Sequence, residues 1–216
     1  MDPRFEFYAI TDQASALGRS DLEIAKGLIE GGATCLQYRA KKVSAKEQWP
    51  AAFALCALCK AAGLPFIVND RIDLALDCEA DGVHLGQDDV PMAAARRLAG
   101  KKMLIGRSTH SLAEAREASE SGADYIGFGP LYLTGTKENN VPPLGLKMVG
   151  QALRDLKVPL VAIGGIKLQH LDELAREGLE HVAVVTALTG AASVAQATQE
   201  FVSRWRGARL KGHPQP

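Results

Sequence analysis

Short apolar runs alternate with longer stretches whose apolar residues recur at helical spacing, along almost the whole 216-residue chain. The runs are Phe7–Thr11, Thr34–Arg39, Phe66–Val68, Gly82–Leu85, Met103–Gly106, Tyr125–Gly129, Pro159–Ile163 and His181–Val185. Each is too short for a helix and reads as a buried strand. Between them the helical period appears. Ser20 with Glu23 forms a capping-box pattern, an apolar stripe of Leu22, Ala25, Leu28 and Ile29 follows, and Gly31-Gly32 ends it. Further helices are predicted over an Ala-rich run from Trp49 to Lys60, and over Ile72–Cys78, Met92–Leu98, Leu112–Ser119, Leu146–Leu156, Leu168–Arg176 and Val194–Trp205.

Strands separated by helices must pair in parallel and bury both faces. Eight βα units in one chain of this length predict a single-domain (β/α)8 TIM barrel over residues 1–206. The rival, an open doubly wound sheet, calls for a Gly-rich GxGxxG turn after its first strand, and none is present. The tail from Gly207 to Pro216 is basic and carries Pro and Gly, so it is expected to be frayed.

Composition narrows the function classes. The 25 basic and 25 acidic residues balance to a formal net charge of +0, which argues against an extended nucleic-acid or anionic-membrane surface. No apolar run reaches membrane-spanning length, and Met1-Asp2-Pro3-Arg4 lacks an apolar signal region, so a cytoplasmic location is expected. Cys56 and Cys59 form a CxxC inside the Ala-rich helix. With no second pair to complete a metal set, they and Cys35 and Cys78 read as small apolar residues.

In a barrel of this kind chemistry gathers at the C-terminal ends of the strands. The second strand leaves the core as Gln37-Tyr38-Arg39-Ala40-Lys41, and alternation puts Gln37, Arg39 and Lys41 on one side. Two cations and an amide there suit a phosphate or diphosphate, although a solvated basic loop has the same composition. The third strand ends in Asn69-Asp70, and Gln87-Asp88-Asp89 follows the fourth. Asp70 and Asp89, with Asp88 as a substitute, are adequate for a magnesium ion that also holds substrate phosphates. Helix capping would explain the same acidic residues separately. Ser108 is a phosphate donor or a helix cap, and His110 is given no catalytic role. Thr134-Gly135-Thr136-Lys137 reads as an oxyanion cradle, Gly164-Gly165 as a place of close backbone approach, and Val185-Thr186 lies at the customary phosphate end of the barrel.

These segments resemble the thiamine-phosphate synthase family from Phe7 to about Phe201. The resemblance is carried by Tyr8-Ala9-Ile10-Thr11-Asp12, Gln37 through Lys41, Asn69 through Asp73, Asp81 through Asp89, Gly106 through His110, Thr134 through Lys137, Ile163 through Ile166 and Ala183 through Thr186. It implies a transferase joining 4-amino-2-methyl-5-hydroxymethylpyrimidine diphosphate to 4-methyl-5-(2-phosphoethyl)thiazole, carboxylated or not. The products are thiamine phosphate and diphosphate. By the same resemblance Gln37, Tyr38, Arg39, Ala40, Lys41, Asn69, Ser108 and Lys137 hold the pyrimidine diphosphate. Asp70 and Asp89 hold Mg2+, and Thr134, Gly135, Thr136, Gly165, Val185 and Thr186 hold the thiazole phosphate. Arg39, Lys41, Lys137 and Ser108 are the candidates for assisting departure of diphosphate.

The chain departs from the family pattern at Leu133 (usually proline), Thr186 (usually serine), Arg107 (usually small and apolar) and Glu180-His181 (usually Asp-Gly). Two alternatives remain at this stage. One is the related thiazole tautomerase, which lacks the diphosphate and metal residues; the other is a non-catalytic thiazole-phosphate-binding paralogue. The partners expected are small phosphorylated molecules, with no nucleic acid and no membrane, and a homo-oligomer is compatible with the reading.

Overall fold

A computed structural model describes residues 6–41, 43–135 and 142–212. Eight parallel strands close into a barrel in chain order, each paired with its sequence neighbours and β1 paired with β8. The strands are β1 (Phe7–Ile10), β2 (Cys35–Tyr38), β3 (Phe66–Asn69), β4 (Gly82–Leu85), β5 (Leu104–Thr109), β6 (Tyr125–Phe128), β7 (Leu160–Ala162) and β8 (His181–Val184). Around them lie α1 (Asp21–Glu30), α2 (Ala45–Ala62), α3 (Ile72–Asp77), α4 (Met92–Ala99), α5 (Leu112–Glu120), α6 (Leu146–Asp155), α7 (Leu171–Arg176), the short α8 (Thr186–Thr189) and α9 (Val194–Gly212). The expected TIM barrel is therefore the observed architecture.

The pleat sorts each strand into two layers. Phe7, Ala9, Leu36, Tyr38, Phe66 and Val68 point outward and pack under the helices. Tyr8, Ile10, Cys35, Ile67, Tyr125, Val161 and Ala183 point inward and fill the barrel. Gly106 makes room for two of the largest inward groups: a Cβ there would stand 2.2 Å from the Tyr125 ring and 2.4 Å from His84. The cysteines behave as packing residues. Cys35, Cys59 and Cys78 are buried and unbridged, and burial pushes the Cys59 thiol up to about 12.

Three elements differ from expectation. Helix α2 begins at Ala45, four residues before Trp49, because Glu47 accepts from Ser44 N (3.2 Å) and Ser44 Oγ (2.5 Å) and starts the helix ahead of Pro50. Strand β5 runs on to Thr109, so Ser108 sits on a strand and not in the following turn. The tail expected to fray from Gly207 is instead the last turns of α9, which continues to Gly212. Ala208 is buried there, and Arg206 and Arg209 both reach Glu6. Residues 213–216 lie outside the described residues.

Helix α9 presents Val194, Thr198, Phe201, Val202, Trp205 and Ala208 to the body of the protein at helical spacing. Gly31, after α1, lies so close to it that a Cβ would meet Thr198 Cβ at 2.4 Å and Ala195 O at 2.6 Å. Gly207, on the same helix, has nothing within 4 Å of such a Cβ. Opposite effects are expected from one substitution type. Gly207→Ala should raise the unfolding midpoint by a few degrees, since alanine favours a helix over glycine by about 1 kcal/mol. Gly31→Ala should lower stability by roughly 1–3 kcal/mol through overpacking. Calorimetry checks both, and a Gly207→Ala midpoint equal to wild type would mean that the segment is frayed after all.

Candidate active site

The inward alternation turns polar at the C-terminal ends of the strands. Gln37, Asn69, His84 and Ser108, two residues after Cys35, Ile67, Gly82 and Gly106 on β2 to β5, line a cavity of about 630 Å3 at that end of the barrel. A polar chain crosses its floor. Gln37 Nε2 donates to Tyr8 Oη (2.8 Å), Tyr8 Oη lies 2.9 Å from Tyr125 Oη, and Tyr125 Oη lies 3.1 Å from His84 Nδ1. His84 Nε2 is 2.9 Å from Ser108 Oγ. Burial raises both phenols well above their ordinary range, so Tyr8 and Tyr125 stay neutral and act through hydrogen bonds. Its far end fixes Ser108 at the cavity wall.

Arg39 lines one side of the cavity, and its Nη1 donates to Asp12 Oδ1 at 2.6 Å. Next to it, Lys41 Nζ stands 3.8 Å from Asp70 Oδ2. Gln37 and Arg39 thus share the cavity side as alternation predicts, while Lys41, Asp70 and Asp89 stand outside the cavity lining. Tyr38 and Ala40 turn the other way, into the layer beneath the helices, so any contact they make with a ligand is by main chain.

Asp70 occupies a left-handed backbone conformation (φ 64°), uncommon for a residue with a side chain and concentrated at functional sites. Its N–H is held by His84 O at 2.8 Å. Burial and the adjacent Asp89 carboxylate push the Asp70 carboxyl up to about 6, against the pull of Lys41 and Arg39. Asp89 Oδ2 accepts from Gly86 N at 2.6 Å, which closes the turn after β4. The capping alternatives fail. Arg71 occupies the cap position of α3 and Pro91 that of α4, neither with a side-chain cap bond, and Ser111, not Ser108, caps α5. Two carboxylates held side by side, with a lysine and an arginine near them, are a fit for a divalent cation that completes its shell with phosphate oxygens and water. No group of three or more His, Cys, Asp or Glu residues suited to a metal occurs among the described residues, so the substrate would have to supply much of that shell.

The opposite side of the cavity is built from the loops after β6, β7 and β8. Thr134, Gly135, Gly165, Val185 and Thr186 all line it. Thr136 and Lys137 lie outside the described residues. The glycines here serve the packing of one loop on the next. A Cβ on Gly129 would stand 2.1 Å from Ile163 O, one on Gly164 would stand 2.5 Å from Pro130 Cα, and one on Gly165 would stand 2.5 Å from Leu133 O. The close approach expected at Gly164-Gly165 is thus made by the chain itself. Tyr132 anchors this loop by stacking on His170 (3.7 Å between rings) and donating to Glu173 Oε1 at 2.5 Å.

Reading the strand ends missed Tyr8, His84, Asp12 and Lys167. The first two were legible from alternation, which turns them inward. Lys167 lines the cavity from the turn after β7, where no strand period marks it. Asp12 acts through a partner 27 positions away, which spacing does not reveal. His110, set aside as structural, also lines the cavity. Its Nδ1 is 2.6 Å from Gly129 O, which makes that nitrogen the donor.

Comparison with known proteins agrees with this geometry. The family model described as thiamine monophosphate synthase matches residues 7–188. The thiamine-phosphate synthase of Pelotomaculum thermopropionicum is 42% identical over 202 residues, covering 92% of this chain and 93% of that protein. The thiamine-phosphate synthase of Chloroflexus aurantiacus is 43% identical over 197 residues, covering 91% of each. Among solved structures, thiamine phosphate pyrophosphorylase from Pyrococcus furiosus superposes with a TM-score of 0.87 at 35% identity, covering 94% of this chain and 96% of that one. A 3-hexulose-6-phosphate synthase at 18% identity and a TM-score of 0.67 shares the fold alone. With its barrel, its two-sided cavity and this breadth of similarity, the chain belongs to the thiamine-phosphate synthase family, transferases of thiamine biosynthesis.

Proposed function

We propose that the protein condenses 4-amino-2-methyl-5-hydroxymethylpyrimidine diphosphate with 4-methyl-5-(2-phosphoethyl)thiazole or its carboxylated form, and that it requires magnesium. The observation that carries this reading is the Asp70–Asp89 pair beside Lys41 and Arg39. A barrel that bound only a thiazole phosphate would have no use for two adjoining carboxylates next to two cations. The thiazole tautomerase reading, defined by loss of these residues, therefore finds no support.

The roles divide by side. Gln37, Arg39, Asn69 and Ser108 face the pyrimidine diphosphate, with Lys41 reaching in from the rim and Lys137 assigned by resemblance. Thr134, Gly135, Gly165, Val185 and Thr186 face the thiazole phosphate, joined by Thr136 on the same ground. Asp70 and Asp89 would hold magnesium, which when bound offsets the charge gathering on the leaving diphosphate. In the reaction the pyrimidine methylene C–O bond breaks and diphosphate takes the electron pair. The electron-rich aminopyrimidine supports the resulting cation, and the thiazole nitrogen closes the new C–N bond. The carboxylated thiazole also loses carbon dioxide. No side chain needs to act as a nucleophile. The chain holds two rings in line, and Arg39, Lys41 and the Ser108 hydroxyl stabilise the departing group.

No helix among the described residues is long and apolar enough to cross a membrane, which accords with small diffusing substrates. The test is an assay of purified protein with both substrates and magnesium, in which thiamine phosphate should form. Absence of product with either thiazole form would overturn the reading. Asp70→Asn and Asp89→Asn should each lower turnover by about 100-fold; steady-state kinetics retaining wild-type turnover and magnesium dependence would remove both residues from the metal site.

The pH dependence follows from Asp70. Its folded pKa is raised from 3.8 to about 6, so the metal-free fold binds the extra proton. That contribution to stability is full below the unfolded value and is lost as pH rises through about 6. Magnesium binding to the ionised pair should therefore raise the unfolding midpoint more at pH 7.5 than at pH 5, and Asp70→Asn should remove the difference. Equal magnesium shifts at the two pH values in the wild-type protein would contradict it.

A further inference from the structure

Asp12 lies two residues beyond β1 and has no assigned part in the reaction, yet it is built into the site from both directions. Its carboxylate is enclosed, with 9% of the side chain exposed, and the Arg39 side chain that it meets is only 12% exposed. Arg39 Nη1 donates to Asp12 Oδ1 at 2.6 Å, and Ser15 Oγ donates to Asp12 Oδ2 at 2.8 Å. Ser15 Oγ also stands 2.6 Å from Thr189 Oγ1, which reaches Val185 O at 3.3 Å. Thr189 is fully buried in α8, the turn of helix that Thr186 begins. Arg19 fastens the far side of the same turn through Thr189 O (2.8 Å) and Ala191 O (2.7 Å). The main chain repeats the tie. Thr11 N donates to Gln37 O (2.9 Å) and Arg39 N donates to Thr11 Oγ1 (3.1 Å).

We infer that Asp12 is a positioning residue for the transfer: it aims the Arg39 guanidinium at the pyrimidine diphosphate and, through Ser15 and Thr189, fixes that arginine relative to the α8 side of the cavity. This rests on the function proposed above and deepens it. An arginine has four rotatable bonds, and an anion alone would have to order them on arrival. A carboxylate buried against the guanidinium orders them beforehand. Because the same carboxylate accepts from Ser15, the arginine is referenced to the opposite substrate's side of the cavity. The two reacting rings must meet at one distance, and such a shared frame sets it.

A double-mutant cycle tests this, with inorganic diphosphate and magnesium as the probe in calorimetry and kcat/KM for the pyrimidine diphosphate as the second readout. Asp12→Asn should weaken diphosphate binding and kcat/KM by roughly 10- to 100-fold in the wild-type background. In the Arg39→Gln background it should cost less than about threefold, because the residue it acts through is gone. If Asp12→Asn fails to fold, Ser15→Ala provides the same comparison, with a smaller loss that also disappears beside Arg39→Gln. An equal loss in both backgrounds means a merely structural role and overturns the inference, as does wild-type behaviour of the single variant. Those results leave the proposed reaction standing. A wild-type protein that neither binds diphosphate nor makes thiamine phosphate overturns the reaction and the inference together.

Discussion

The inside of a closed eight-stranded barrel admits few side chains and little water, so any polar group placed there must find its partner in another strand. That constraint governs this protein. Tyr8, Tyr125 and His84 come from β1, β6 and β4, and each hydroxyl or ring nitrogen meets the next across the barrel. Without that pairing each buried polar atom would cost about 1–3 kcal/mol. With it, the chain becomes a rigid floor that ends in Gln37 and Ser108, and the cavity above inherits its shape from the packing below. Gly106 is part of the same solution, since no larger residue leaves room for the Tyr125 ring beside His84.

Above the floor the two sides of the cavity differ in how they hold charge. The β1–β4 side uses fixed ionic groups: Arg39 against Asp12, Lys41 against Asp70, and Asp70 against Asp89. The β6–β8 side uses hydroxyls, glycines and main chain, with Lys167 as its cation. Cations able to follow growing charge suit a diphosphate that must leave, whereas a fixed cradle suits a phosphate that serves as an anchor. Under the proposed function, the leaving diphosphate meets the salt-bridged wall and the anchored phosphate meets the wall of hydroxyls, glycines and Lys167.

Much of this was legible in the chain. The strand order, the barrel and the side on which Gln37 and Arg39 emerge all follow from a period of two within strands and a helical period between them. The capping alternatives for Asp70, Asp89 and Ser108 could not be dismissed from sequence, because a cap and a ligand residue look alike there. The positions of Arg71, Pro91 and Ser111 at the helix starts set the capping reading aside. The Asp12–Arg39 pair was hidden for a different reason: it joins neighbouring strands through a register that local spacing does not encode. Residues 207–212, expected to fray because basic residues suggest solvent, instead continue α9. Arg206 and Arg209 in fact meet Glu6, at the opposite end of the chain.

That last contact has a consequence for how the protein is made. β1 has β8 as one of its two neighbours, and Glu6 beside it meets residues of α9. During synthesis the first strand emerges long before either partner exists. One edge of β1 stays unpaired until nearly the whole chain has left the ribosome, so barrel closure is a late, long-range event. The nascent protein must therefore travel through translation with an open sheet edge, and its solubility in that interval depends on how quickly β8 arrives to close the ring.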